Sequence, residues 1–307
     1  MESTEQSSKT SRVRIAPDAA NGHRLPILKT YKIYIGGKFP RTESGRYYTA
    51  SAADGSALAN MCLCSRKDFR EAMVAARAAS EKWATASAFL RGQILYRIAE
   101  MMEGRRGQFI AELESQGSTP AAASAEVDAA VDRFVHYAGW ADKYQQIFSS
   151  VNPVASSHFN FSVCEPTGVV VVVAPETDGL LGLVSNIAPV FTGGNTCVVL
   201  ASYARPLCAV TLAEVLHASD LPGGVVNLLT GKRSELLTHF ASHMDVNAMI
   251  YNGTDQTEIQ SIETLSADNV KRTTIRRYTD WTGPDRQNPY LILDTQEIKT
   301  TWHPIGN

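Results

Sequence analysis

The sequence predicts an α/β protein built on a doubly wound parallel sheet. Two observations carry that expectation. Short, almost wholly apolar runs recur after residue 166, at Val169–Val173, Thr196–Leu200, Val225–Gly231 and Ala248–Tyr251. Between them, Leu180–Phe191, Leu207–Ala218 and Leu236–His243 space their apolar residues as helices do. A strand that is apolar on both faces is covered on both faces, and strands joined through helices run parallel.

The remaining elements follow in chain order. Residues 1–27 are rich in Ser, Thr, Glu and Lys without apolar periodicity and read as a flexible leader. Lys32–Phe39 alternates around Gly36-Gly37 and predicts a small hairpin. Arg66–Gly107 and Ala121–Tyr144 repeat apolar residues every three or four positions and predict long amphipathic helices. Thr273–Arg277 reads as a strand and Gln256–Ala267 as a helix. Tyr290–His303 alternates and predicts a final strand pairing with Asn152–Pro166.

Composition bounds the function. The 307 residues are 44% hydrophobic and 20% charged, which is globular, and the net charge of −2 gives no general attraction to nucleic acid or an anionic membrane. The longest apolar run, Val169–Ala174, is far too short to span a bilayer. Five cysteines and no secretory signal pattern point to a reducing cytoplasm. Cys62 and Cys64 stand as a lone pair. Glu235, His239 and His243 recur every four residues but have no distant fourth ligand, so a solvated helix face is expected and no metal site. The cluster Lys271, Arg272, Arg276 and Arg277 suits phosphate or an acidic surface, but lacks the aromatic residues that accompany nucleic-acid binding.

Three blocks, NIAPVFTGGNTCVVL (186–200), LPGGVVNLLTG (221–231) and HMDVNAMIYNGT (243–254), resemble the cofactor-binding half of aldehyde dehydrogenases. IYIGGKF, RRGQFIAELES and YAGWADKY resemble that family's N-terminal elements. The resemblance implies a Rossmann-like cofactor-type domain over 28–145 and 167–277, and a small antiparallel β oligomerisation arm over 146–166 and 288–307. It also implies a junction at 278–287 where the family carries its catalytic domain. In the family a cysteine thiolate attacks the aldehyde, an amide steadies the oxyanion, NAD(P) takes the hydride and a glutamate activates water.

Carried over residue by residue, the resemblance puts Thr177 at the oxyanion amide, Ala201 and Ala204 at the two ribose-binding positions, and Arg276 at the water-activating glutamate. It puts Glu258 at a phosphate-side glycine. A guanidinium has no acceptor lone pair, and a carboxylate repels pyrophosphate. All five cysteines precede the junction. The expectation is therefore that the isolated chain is not an enzyme, has no catalytic residue and requires no cofactor. Weak residual NAD(P) contact through Thr177, Gly231, Gly253 and Thr254 is the alternative, although these glycines can equally serve turns.

The retained arm implies a partner. Leu291, Leu293, Ile298 and Trp302 are its expected anchors, and a full-length aldehyde dehydrogenase in a hetero-oligomer is the expected acceptor. The chain would then stabilise or regulate that enzyme. A self-associating nucleotide-binding regulator, a homo-oligomer, and aldehyde oxidation only in a complex remain as alternatives.

Overall fold

A computed structural model describes residues 27–306; the leader expected over 1–27 thus lies almost wholly outside the described residues. The chain first forms β1 (Tyr47–Ser51) and β2 (Ala57–Cys62), an antiparallel pair, and then α1 (Arg66–Ala84), α2 (Ala88–Gly104), α3 (Arg106–Ser115), α4 (Pro120–Trp140) and α5 (Tyr144–Phe148). The single helical stretch expected over 66–107 is broken because caps interrupt it. Ser65 and Asp68 close a capping box on α1, and Ser87 Oγ accepts from Leu90 N to start α2. Thr119 caps α4, with Pro120 in its first turn where no N–H is needed.

Next come β3 (Ser150–Asn152), β4 (His158–Pro166), β5 (Val169–Val173), α6 (Leu181–Thr192), β6 (Thr196–Leu200), α7 (Leu207–Ala218) and β7 (Val226–Leu229). They are followed by α8 (Arg233–Ser242), β8 (Ala248–Asn252), α9 (Gln256–Ser266), β9 (Arg272–Arg276), α10 (Tyr290–Leu293) and β10 (Gln296–Pro304). The parallel sheet runs in the order β7-β6-β5-β8-β9, as the doubly wound reading requires. Its two faces bury alternate residues. Val170 and Val172 of β5 join a core with α2, α4, α6 and α7, whereas Val169, Val171 and Val173 join a second core under α1, α8 and α9.

The arm is a separate antiparallel sheet in the order β10-β4-β3, with register Ile298↔Cys164, Thr300↔Ser162 and Trp302↔Asn160. Two expectations need correction. The final strand starts at Gln296, not Tyr290, because Pro289 leads into the short helix α10, which packs on α6. Leu291 is consequently buried and Leu293 half-buried against this chain's own core, so neither is available as an interface anchor. The Lys32–Phe39 hairpin reduces to a turn closed by Ile35 and Lys38. Tyr34 instead exchanges two backbone hydrogen bonds with Leu228, covering the free edge of β7.

Candidate functional site

In a sheet of this order the chain leaves β5 toward β6, returns, and leaves β8 toward β9. The carboxyl ends of β5 and β8 therefore diverge into a crevice, the place where such folds bind ligands. A cleft of about 380 Å³ lies there, between Pro175–Thr177 after β5 and Gly253–Asp255 after β8, with Arg233, Tyr251, Glu258 and Tyr278 around it. Thr177, Gly253 and Thr254 meet in this cleft, as the sequence reading brought them together. Gly231 does not line it. It is held at φ +153°, and a Cβ there would come within 3.3 Å of Cys64 N, so this glycine lets β2 close on the end of β7.

Carboxylates of the chain take backbone donors at the cleft and beside it. At the N-terminus of α9, Asp255 Oδ1 accepts from Thr257 N (2.8 Å) and Glu258 N (3.1 Å). At the N-terminus of α6, Glu126 Oε1 accepts from Leu180 N (2.7 Å) and Leu181 N (3.2 Å), while Asp178 Oδ1 accepts from Gly182 N (2.6 Å). Burial, then the adjacent Glu126 carboxylate, raise Asp178 to about 7. In the turn after β6, Glu176 Oε2 accepts from Tyr203 N (2.8 Å) and Ala204 N (3.2 Å), and Arg233 pairs with the same carboxylate.

Above Gly253, the Tyr251 hydroxyl donates to Glu258 Oε2 at 2.5 Å, and its burial, followed by that carboxylate, holds the phenol well above the usual range. A Cβ on Gly253 would stand 2.5 Å from the same hydroxyl. The glycine thus makes room for the chain's own tyrosine. A dinucleotide pyrophosphate needs free N–H groups at a helix N-terminus and open space beside a glycine. Here Asp255 takes the Thr257 and Glu258 N–H groups, and Tyr251 with Glu258 fills the space over Gly253, so the residues present fit that cofactor poorly.

Behind the cleft, Arg276 is 2% exposed and donates to Asn186 Oδ1 (2.8 Å) and Asp294 Oδ2 (2.7 Å). This pair ties the end of β9 to the residue that follows α10. Arg133, also buried, donates to Ser185 Oγ and to the carbonyls of Trp281 and Arg286, fastening the segment 278–289 across α4 and α6. Sequence reading missed both contacts, since neither has a local pattern. The five cysteines are buried, and burial pushes each thiol up. Glu235 pairs with Arg46 rather than with His239 and His243, and no group of three or more His, Cys, Asp or Glu among the described residues is arranged to hold a metal ion.

With fold and cleft established, similarity decides the kinship: the chain matches the aldehyde dehydrogenase family over residues 39–276. The chain belongs to the aldehyde dehydrogenase family. It is 29% identical over 258 residues to cytosolic 10-formyltetrahydrofolate dehydrogenase of Mus musculus, covering 82% of this chain and 29% of that protein. It superposes on the NAD+ complex of an aldehyde dehydrogenase from Bacillus cereus with TM-score 0.76 and 25% identity, covering 80% of this chain and 50% of the other. HpcC from Thermus thermophilus gives the same TM-score at 26% identity, with 80% and 48% covered. The chain thus spans half or less of the length of these relatives. One expectation is corrected by them. The reading of the isolated chain as no enzyme is overturned, because the match places it in a family whose matched members are named dehydrogenases.

Proposed function

We propose that this aldehyde dehydrogenase family member is a subunit that assembles with a full-length aldehyde dehydrogenase through its β arm, and stabilises or regulates that partner. The observation that carries the reading is the arm itself. Its strand β10 pairs on one side only, with β4, so the other side presents backbone donors and acceptors to an incoming strand. Ile298 and Trp302 stand 56% and 58% exposed on one face, Phe159 is exposed on the adjacent β4, and Val151 is exposed on β3 beyond it. An unpaired edge of nine residues that exposes Ile298 and Trp302 invites pairing with another strand.

The anchoring set is therefore revised to Ile298 and Trp302. The partner's sheet, rather than a second copy of this arm, is the acceptor in this reading, and the assembly requires no NAD(P) on this chain. Co-expression with complete aldehyde dehydrogenases, purification through a tag on this chain and native mass measurement test the proposal. A complex of defined stoichiometry containing both chains supports it. Recovery of this chain alone, or only with copies of itself, refutes it.

A further inference from the structure

We infer that the crevice at the ends of β5 and β8 excludes a dinucleotide, because the chain's own carboxylates hold the backbone donors a pyrophosphate would use. The N-terminus of α9 opens on its lining, and two further groups of N–H donors, at the N-terminus of α6 and in the turn after β6, lie outside that lining. Each is capped by a carboxylate of the chain, from Asp255, from Glu126 with Asp178, and from Glu176. A phosphate entering at α9 would have to displace Asp255 and would then meet Glu258, which lies at the third position of that helix and is hydrogen-bonded to Tyr251. Like charge in a partly enclosed cleft opposes entry, and the filled space over Gly253 opposes it sterically. The N-terminal dipole of α9, attractive to phosphate in this class of fold, is here neutralised from within.

The inference concerns the cleft alone and is independent of any partner. Titration calorimetry of the full chain with NAD+ tests it, with Glu258→Gln as the first variant because it keeps an acceptor for Tyr251 and removes the charge. The variant Tyr251→Phe/Glu258→Gly then removes the plug, and Glu263→Gln, on an exposed part of α9, controls for helix charge. The wild type is expected to show no saturation below about 1 mM. Glu258→Gln should bind several-fold more tightly, the double variant at least tenfold, and Glu263→Gln no differently from wild type. Circular dichroism and the melting midpoint verify that each variant is folded. Low-micromolar binding by the wild type overturns the inference, as does a folded Glu258→Gln that gains nothing, or an equal gain from Glu263→Gln.

Discussion

The five-stranded body and the three-stranded arm treat their side chains in opposite ways. In β5, β6, β7 and β8 every residue is buried, whereas from Glu297 to Pro304 every residue of β10 is exposed. The body is closed by its own helices on both faces, while the arm is anchored at its base and projects. Gln296 donates to the Gly193 carbonyl and Glu297 pairs with Arg272, but beyond these the outer strand is held to the body only through β4. The difference teaches that the sheet's burial is complete within the chain and the outer strand's is not, so a substitution on the outer strand is expected to leave the sheet's stability unchanged.

That separation can be broken most severely at the centre of the body. Val172→Asp places a charge among residues with no exposed surface, and it should cost more than about 4 kcal/mol and abolish the cooperative melt seen by calorimetry. Arg276→Leu leaves Asp294 without its partner. Because Asp294 is about a third exposed, the expected loss is only about 1–3 kcal/mol, measured by urea unfolding.

A third test is pH. Asp178 is raised in the folded chain, so the folded state binds more protons than the unfolded one between pH 3.8 and about 7. The stability contributed by this group is present at low pH and lost as pH rises through that window. The wild type should therefore be more stable near pH 5 than near pH 8 by about 1–3 kcal/mol from this source, and Asp178→Asn should flatten the slope. A smaller effect is expected in the arm. Trp302→Ala should change the melting free energy by less than about 0.5 kcal/mol, since its ring is mostly in solvent, yet weaken any complex.

The same comparison explains what was legible in the sequence. Val169–Val173 and its companions declare themselves because burial on both faces leaves an unbroken apolar run. Alternation in Tyr290–His303 misled for the opposite reason: Leu291, Leu293 and Thr295 alternate, but Ile292 between them is also buried, and one helical turn satisfies all of this against α6. The pair β1 and β2 was missed because YYTAS and ALANMC mix strand formers with Ala and Asn. Thr177, Gly253 and Thr254 were legible as cleft residues from their places after β5 and β8. Glu258 was legible too, but the partners of Glu126 and Glu176 were not. Glu126 reaches α6 across 54 positions of chain, and Glu176 reaches Tyr203 across 27, separations that no local pattern records.

The structure also sets where the arm can be cut. Removal from Leu291 onward would strip Leu291 and Ile292 from the core, so truncation belongs after Gln296. The most direct test compares wild type with Ile298→Pro, which removes one ladder N–H and disturbs pairing on an exposed strand without touching the core. Each is co-expressed with a full-length aldehyde dehydrogenase that the wild type captures, and the purified material is weighed by light scattering. The account predicts a hetero-oligomer for the wild type and, for Ile298→Pro, a chain with an unchanged melting midpoint that no longer carries the partner. A folded Ile298→Pro chain that holds the full-length enzyme as tightly as wild type would contradict it.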